Sequence, residues 1–391
     1  MSHPVACKPD QSPMKVLASF RTGLLGAFLV LTGCSSLPPH RELPQTDLTR
    51  TPEIVIDAEG GTASTEITVL IYNVAGLPWP LSRGKRSRQR DESGERIPID
   101  SNRPKALRAI GDTLGKLRAA GETPDVMMLQ EAFIGSAAEI PARGGYANWV
   151  AGPAAHELGK KHSDRAPRQF IAGRSFWKGE KLGKWQSSGL LIASNFPMLR
   201  KYSHPFAQWE CAGFDCLANK GVLVVVLNVP GVPEPVALAT THFNSRGASG
   251  VSRERSLIAH RLQVAEANAF LYGLDEPIIP FIWGGDLNMR RADDRIEFFV
   301  ERSEGELNEV SSFCVEKPGR CEVVIRWGSD TPWYETQDLQ GWQAGTRVDV
   351  RPVRVEGLFD QPVGGFMPSD HDGLLVTYRL SWNLGEEAAL R

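Results

Sequence analysis

The 391-residue sequence lacks an excess of charge of either sign, with 44 Lys and Arg against 46 Asp and Glu. A balanced chain does not draw in nucleic acid through its overall field, so local groups must meet any anionic substrate. Internal repeats and low-complexity tracts are also lacking. A hydrophobic content of 41% and ten Trp are ample for a sizeable core and exclude general disorder.

No apolar run is long enough to predict a permanent transmembrane helix. The N-terminal run TGLLGAFLVLTG, residues 22–33, follows Lys15 and Arg21 and has the length of the apolar region of a signal peptide. Its end, LTGC at residues 31–34, resembles the cleavage box of bacterial lipoproteins. An ordinary secretory signal and a buried helix are the other readings, and Met14 is an alternative start.

The lipoprotein resemblance implies a signal peptide at residues 1–33, removed on export, and lipidation of Cys34 as the new N-terminus. Ser35 follows in place of the aspartate that retains lipoproteins at the inner membrane. The chain is therefore expected at the outer membrane or the periplasmic face, tethered by this lipid anchor.

Four of the six cysteines remain after Cys7, in the signal peptide, and Cys34. An even number in an oxidising compartment suggests disulfides, and the two close pairs make Cys211 to Cys216 and Cys314 to Cys321 the natural choice among three connectivities. The Cys and His spacings match no zinc template, and no cysteine is placed as a nucleophile.

Strand and helix signals alternate through most of the chain. Residues 34–62 are rich in Pro, Thr and Gly and indicate a flexible tether, residues 63–383 one α/β domain, and residues 384–391 a tail. Buried strands are predicted at 67–74, 125–133, 187–196, 220–229, 235–243 and 278–288, and helices at 102–120, 251–273 and about 292–302. Such alternation predicts sheets covered by helices.

Several predicted strands end in a carboxylate, an amide or an imidazole. The motifs are YNVAGLP with Asn73, LQEAF with Glu131, THF with His242, GGDLN with Asp286 and Asn288, and SDH with Asp370 and His371. If these ends share one edge, they form a cleft lined with oxygen ligands. Phosphodiester hydrolysis needs such a set, because a hard divalent cation must neutralise the phosphate and a carboxylate must orient or deprotonate water.

These motifs, in this order, resemble the endonuclease/exonuclease/phosphatase superfamily, the metal-dependent phosphodiesterases that include deoxyribonuclease I and neutral sphingomyelinases. The resemblance covers about residues 66–381. It implies a four-layer α/β/β/α sandwich of two mixed β-sheets flanked by helices, and a Mg²⁺ cofactor, with Mn²⁺ or Ca²⁺ as alternatives.

The resemblance also implies roles for single residues. Asn73, Glu131 and Asp370 are assigned to the metal. Catalytic roles are assigned to His242, to Asp286 as the group that orients water, to Asn288 at the phosphate, to His371, and to Asp349 in TRVDV as the carboxylate that holds His371. The general base stays open.

Each residue also has a structural reading. Asn73, Asp286 and Asn288 could form turns, and Glu131 could pair with an arginine. His242 could be a hydrogen-bonded structural histidine, His371 a loop residue, and Asp349 a strand-end charge.

The substrate is less constrained. CAGFDCLANKGVLVVVL, residues 211–227, resembles a segment of bacterial sphingomyelinases, which favours a phospholipid such as sphingomyelin. Secreted sphingomyelinases also carry an aromatic-rich hairpin before SDH, whereas residues 351–369 offer only Phe359, Phe366 and Met367. The cluster of Trp327, Trp333, Tyr334 and Trp342 could replace that hairpin or form an ordinary packed hairpin.

A nuclease is the main alternative, because SRGKRSRQRDESGER, residues 82–96, could contact nucleic acid phosphates. That stretch could equally be a solvated loop. A catalytically inactive binding module is the third reading. No obligate protein partner is evident.

Overall fold

The computed structural model describes residues 47–78, 81, 84–161, 167–274, 277–303, 308–316, 319–325 and 331–386. The predicted signal peptide, Cys34 and Trp327 lie outside the described residues. Among the helices that are described, none has the length and apolar character needed to cross a membrane.

Fifteen strands and seven α-helices make up the described part of the chain. The strands are β1 Val55–Asp57, β2 Thr62–Asn73, β3 Arg86–Arg90, β4 Arg96–Pro98, β5 Val126–Gln130, β6 Asn148–Ala151, β7 Leu191–Ser194, β8 Met198–Pro205, β9 Gly221–Leu227, β10 Val236–His242, β11 Phe281–Asp286, β12 Glu322–Val323, β13 Asp338–Gln343, β14 Val348–Leu358 and β15 Gly373–Asn383. The helices are α1 Arg103–Ala120, α2 Glu139–Arg143, α3 Arg168–Ala172, α4 Arg253–Tyr272, α5 Asp293–Arg302, α6 Val310–Glu316 and α7 Pro332–Glu335.

Two mixed sheets form the centre of the fold. The first has the order β12-β14-β15-β2-β5-β7-β6, with β1 paired to β2, and the second has the order β13-β11-β10-β9-β8. A separate hairpin joins β3 and β4. The predicted alternation of strands and helices is thus confirmed as a pair of sheets with helices outside.

Strand β2 shows why the layers stack as they do. Its side chains alternate between two faces, so Val69 and Ile71 join the core between the sheets while Leu70 and Tyr72 pack against α1. On the second sheet, Val224 faces α4 in the same way. The result is the predicted α/β/β/α sandwich.

The predicted first helix is confirmed, and its ends follow local chemistry. Asn102 caps α1 by accepting a hydrogen bond from the Lys105 backbone N–H at 3.3 Å. Gly121 ends the helix with φ of 78°, a left-handed conformation that glycine adopts without a steric penalty. Helices α4 and α5 likewise match the ranges predicted from periodicity.

Part of the predicted tether packs on the domain. Strand β1 pairs with the start of β2, the Thr49 N–H donates to the Asn195 carbonyl at 3.0 Å, and Arg50 forms an ion pair with Asp125. The expectation of a flexible tether over all of residues 34–62 is therefore wrong for residues 47–62. The sequence does not predict this packing, because backbone pairing and an ion pair hold the segment and it has no apolar periodicity.

The aromatic cluster near β13 is a packed one. Trp342 lies in the core between the sheets, and Trp333 packs against the core beneath α4 and α5. Before the SDH motif, Phe359 and Met367 are buried, while Phe366 is partly exposed. The idea that this cluster forms a lipid-facing hairpin is thus not supported.

Candidate functional site

The two sheets bring their functional groups to one edge. Strands β2 and β5 run parallel with Asn73 opposite Gln130, and strands β10 and β11 run parallel with His242 opposite Asp286. The Asn73 amide then donates to Asp286 Oδ2 at 3.0 Å, across the gap between the sheets. Side chains 213 residues apart in sequence therefore meet at a single site.

Asp286 is at the centre of this site. It is 1% exposed, and its Oδ2 lies 3.3 Å from the Gln337 amide nitrogen and 3.5 Å from His242 Nε2. The Asn288 N–H donates to its other oxygen at 3.1 Å. Burial, together with the nearby Asp338 carboxylate, raises the pKa of Asp286 to about 6. A carboxyl group with this pKa suits the acceptance of a proton near neutral pH.

His371 is held by Asp338. Its Nδ1 lies 2.7 Å and 3.0 Å from the two Asp338 oxygens, and its Nε2 lies 3.9 Å from Asp286 Oδ2 and 3.2 Å from the Gln337 amide nitrogen. Burial lowers the pKa of His371, but the Asp338 carboxylate outweighs it, and the pKa is raised to about 9. The imidazolium thus supplies a fixed positive charge.

The assignment of Asp349 as the partner of His371 is wrong. Asp349 lies on β14, its side chain is 43% exposed, and it pairs with Arg351 at 2.7 Å. Sequence position favoured it because TRVDV precedes SDH in a family-like spacing. The structure instead puts a different carboxylate, that of Asp338, beside the imidazole.

Gln337 and Asp338 were missed because they come before a strand, not after one. Strand β13 runs antiparallel to β11, and its register pairs Asp338 with Asp286. The first residue of β13 therefore lies at the same edge as the last residue of β11. The polar TQD preceding the apolar LQGW was the available signal, but reading it needed the strand direction.

The other predicted catalytic residues also lie at this edge. His242 is buried, its Nδ1 has no hydrogen-bond partner among the described residues, and burial lowers its pKa well below the usual value. It is therefore neutral. Asn288 donates its side-chain amide to the Phe243 carbonyl at 3.0 Å, which fixes it one residue beyond His242.

Glu131 and Asp370, like Asp372 after them, carry a carboxylate oxygen that no described residue satisfies. Glu131 Oε2 and Asp370 Oδ1 are buried without a hydrogen-bond partner among the described residues. A carboxylate oxygen can only accept, so a hydrogen-bond donor or a cation satisfies it when it is buried. Glu131 also has φ of 52°, which is uncommon for this residue type, and Asn288 has φ of 53°, which asparagine adopts more readily. These carboxylates fit a hard divalent cation.

The structure also gives the metal more than one candidate ligand set. Asp286, Asp338 and His371 offer ligand atoms that lie within 4.8 Å of one another. The His371 Nδ1 is already engaged with Asp338, and Asp286 Oδ2 accepts from the Asn73 amide. Asn73, predicted to bind the metal, uses its side-chain oxygen to accept from the Ala75 N–H at 3.0 Å. Glu131 and Asp370 each have an oxygen without a partner among the described residues, and the second lone pair of the Asn73 oxygen stays available to the ion.

The basic hairpin of β3 and β4 is a second part of the site that the sequence did not place. Lys85 Nζ lies 2.9 Å from Asp370 Oδ2, Arg88 lies 3.9 Å from Asp338, and the Gln89 amide donates to Asp372 at 2.9 Å. Burial lowers the pKa of Lys85, but Glu131 and Asp370 outweigh it and raise the pKa. The hairpin thus brings an ammonium group to the Glu131 and Asp370 carboxylates.

A buried arginine fixes the loops that carry these groups. Arg103, at the start of α1, donates to the Val74, Ala75, Asp100 and Pro368 carbonyls at 2.7 to 3.0 Å. The Ser369 hydroxyl also donates to the Asn73 carbonyl at 2.6 Å. The SDH loop is therefore locked to the end of β2, which preorganises the site.

The fold matches known structures over most of its length. A crystal structure of beta toxin from Staphylococcus aureus has a TM-score of 0.51 at 16% identity, over 79% of this chain and 99% of that one. Sphingomyelinase C from Streptomyces griseocarneus has a TM-score of 0.49 at 19% identity, over 80% and 99% of the two chains. A humanized TDP2 from D. rerio has a TM-score of 0.49 at 14% identity, over 80% and 98%. No curated protein sequence matches this chain.

A family-level match agrees with the geometry of the edge. Residues 70–371 match the endonuclease/exonuclease/phosphatase family, and that range runs from the core of β2 to the imidazole of the SDH motif. The chain therefore belongs to the endonuclease/exonuclease/phosphatase family and is a metal-dependent phosphoric diester hydrolase.

Proposed function

We propose that this protein hydrolyses the phosphodiester of a phospholipid such as sphingomyelin, with Mg²⁺ as cofactor. The proposal includes export and a lipid anchor at Cys34, as the LTGC box predicts. Attachment to a membrane would keep the enzyme at the surface where a phospholipid substrate is found.

The observation that carries the lipid substrate is the position of the first part of residues 211–227, the segment that resembles bacterial sphingomyelinases. Asp215 Oδ2 accepts from the Ser245 N–H at 2.5 Å and lies 3.2 Å from Lys220 Nζ. Lys220 in turn donates to the Phe243 carbonyl at 2.9 Å, next to His242. The segment that suggested the substrate is thus part of the wall of the site.

In the proposed reaction, water attacks phosphorus and gives a proton to Asp286 while the P–O bond to the leaving alkoxide breaks. The alkoxide then takes a proton from solvent water, and Asp286 returns its proton to solvent. Asn73, Gln337 and the Asn288 N–H hold Asp286 in place. His371 lies only 3.9 Å from Asp286, so it is on the same side of the phosphorus as the attacking water. It is therefore suited to contact a non-bridging phosphate oxygen rather than to protonate a leaving group on the opposite side.

Glu131 and Asp370 would hold the divalent cation. When bound there, such a cation supplies charge neutralisation at the phosphate and at the leaving oxygen. Lys85 takes part of that negative charge in this structure, so the ammonium and the metal ion would compete for the same carboxylates.

Replacing Lys85 by Met is therefore expected to strengthen Mg²⁺ binding by about tenfold, because one competing positive charge leaves the two carboxylates. Isothermal titration of the variant with MgCl₂ measures this directly. Arg90→Met in the same hairpin is the matched control, since Arg90 is exposed and donates to the Gly94 carbonyl, away from the carboxylates. Weaker Mg²⁺ binding in the Lys85 variant would mean that Lys85 supports the metal site instead of competing with the ion.

Nucleic acid is the second candidate substrate, and one observation favours it. Arg290 lies in a cluster of positive charges. Burial lowers the pKa of Arg290 most, and repulsion from Arg88, Arg96 and Arg291 lowers it further. Such a cluster can bind phosphates of a polyanion. However, the hairpin cations closest to the site, Lys85 and Arg88, face carboxylates of the protein itself.

A substrate panel tests the proposal. The full-length protein with Mg²⁺ is expected to release phosphocholine from sphingomyelin vesicles, and Asp286→Asn to abolish release while its melting temperature stays nearly unchanged. Cleavage of plasmid DNA with no lipid turnover would replace the lipid proposal by the nuclease one. Mass spectrometry of the exported protein checks the anchor, which requires a lipid mass on Cys34.

A further inference from the structure

Four large aromatic side chains that take no part in the proposed chemistry are exposed on two neighbouring segments of the chain. Phe176, Trp177, Trp185 and Phe214 are 53%, 85%, 60% and 48% exposed, and we call them the aromatic patch. Phe176 packs edge-on against Trp177, and Lys178 lies 5.8 Å above the Phe214 ring. Clustered exposed aromatics mark interaction surfaces, because single exposed apolar residues are ordinary but groups of them are not.

A buried charge network holds the two segments of this patch together. Glu180, which is 1% exposed, accepts from the Ser175 N–H at 2.5 Å and the Gly213 N–H at 2.9 Å, and it pairs with Arg255 at 2.6 Å. The Trp185 N–H also donates to the Leu217 carbonyl at 2.8 Å. The Cys211–Cys216 disulfide closes the loop that carries Phe214. The aromatic rings therefore project from a braced frame.

The patch lies at the edge of the sandwich where the site is. Trp185 precedes β7, whose first residue, Leu191, pairs with Leu129 near the end of β5. Phe214 precedes β9, whose Val222 pairs with Thr241 near the end of β10. Strand β5 ends at Gln130, one residue before Glu131, and β10 ends at His242, so both patch segments approach their sheets from the same edge as the catalytic groups.

The exposed charges of residues 174–186 are positive. Glu180 pairs with Arg255, Lys184 donates to the Ala218 carbonyl at 3.1 Å, and Asp215, next to Phe214, pairs with Lys220. Lys178 and Lys181 are exposed. Tryptophan interleaved with lysine suits the interface of a bilayer, where indole rings lie at the level of the headgroups and ammonium groups meet lipid phosphates.

We propose that the aromatic patch docks on a phospholipid bilayer and orients the catalytic edge towards lipid headgroups. The inference rests on the proposed function in one respect, since a bilayer-borne diester is what makes this orientation useful. It also assigns a membrane contact to a surface remote in sequence from the segment before SDH, where Phe366 is the only partly exposed aromatic among residues 351–369.

Quenching by brominated phosphatidylcholine tests the docking on the full-length protein. Bromine on the acyl chains quenches only tryptophans that enter the bilayer, whether or not a lipid anchor holds the protein there. Trp177→Phe/Trp185→Phe is expected to lose most of the quenching seen in the unchanged protein, although eight of the ten Trp remain. Equal fractional quenching in both proteins would overturn the proposal.

Vesicle kinetics provide the second measurement. Trp177→Ala/Trp185→Ala is expected to raise the apparent KM for sphingomyelin vesicles by at least about tenfold, because the apolar area that enters the bilayer is lost. Hydrolysis of soluble bis(p-nitrophenyl) phosphate should stay unchanged. The matched control is Tyr272→Ala/Ile278→Ala, which removes side chains 66% and 68% exposed at the opposite edge, where β11 begins.

The outcomes separate the two proposals. Bilayer-dependent quenching with no hydrolysis of any phosphodiester would retain the docking surface and reject the proposed function. Hydrolysis of sphingomyelin with an unchanged vesicle KM in the patch variant would retain the proposed function and reject the docking surface. A patch variant that loses binding to another protein, but not to vesicles, would assign the surface to a protein partner and overturn bilayer docking.

Discussion

Replacing Asp338 by Asn is expected to lower kcat by roughly 10³- to 10⁴-fold. Asp338 contacts Nδ1 of His371 with both carboxylate oxygens, at 2.7 Å and 3.0 Å, and outweighs burial in keeping the imidazole protonated. An amide at this position keeps the shape but removes the charge, so the ring loses its positive charge near neutral pH. Steady-state kinetics at saturating Mg²⁺ measure the effect.

Asp349→Asn is the matched control for this experiment. Asp349 is the carboxylate that the family-like spacing assigned to His371, yet it lies exposed beside Arg351. We expect this variant to keep full activity. Loss of activity in the Asp349 variant with retention in the Asp338 variant would show that the imidazole has a different partner in solution. NMR of the ring can report the protonation of His371 independently of turnover.

Replacing Glu131 by Gln is expected to weaken Mg²⁺ binding by at least about 100-fold, and to lower kcat/KM in parallel at limiting metal. The negative charge on a buried oxygen without a partner among the described residues is what attracts the cation, and the amide removes it. Isothermal titration gives the affinity, and excess Mg²⁺ should restore part of the activity.

Thermal unfolding of the same variant separates a metal-binding role from a structural one. The metal-free Glu131→Gln protein should keep a melting temperature close to that of the unchanged protein, because Glu131 is half-buried and Lys85 keeps its ion pair with Asp370. The exposed Glu139, which pairs with Arg108 and Arg143, provides the control as Glu139→Gln and should leave Mg²⁺ binding unchanged. A large fall in the melting temperature of the Glu131 variant, with Mg²⁺ binding intact, would contradict the metal assignment.

The fold could be predicted where strong local patterns coincide. Apolar runs that end in polar residues marked β2, β5, β10 and β11, and parallel pairing then carried Asn73, Glu131, His242 and Asp286 to one edge. Helix α1 followed from its periodicity and its Asn102 cap. In these strands the polar residue follows the apolar run directly, and parallel pairing brings such strand ends together. The sequence of a single chain was therefore enough to predict this part of the site.

The rest of the site depended on pairings that local patterns do not reveal. Asp338 enters the site only because β13 runs antiparallel to β11. Lys85 enters it only because the charged hairpin folds back over the SDH loop, where Lys85 pairs with Asp370. The basic stretch of that hairpin has no clean apolar alternation, so its sequence predicts either a contact surface for nucleic acid phosphates or a solvated loop. The positions of Asp338 and Lys85 therefore depend on tertiary pairing rather than on the local preference of their own segments.

The left-handed backbone at Glu131 and Asn288 has a further consequence for how this domain can change over time. Glu131 costs about 1 to 2 kcal/mol in that conformation, and Asn288 costs less because asparagine tolerates it. Glycine at either position would relax the chain and make the domain sturdier, but it would delete a carboxylate or an amide that chemistry requires. Selection for a more stable fold and selection for turnover therefore favour different residues at these two positions. A more stable variant with glycine there would be a poorer enzyme.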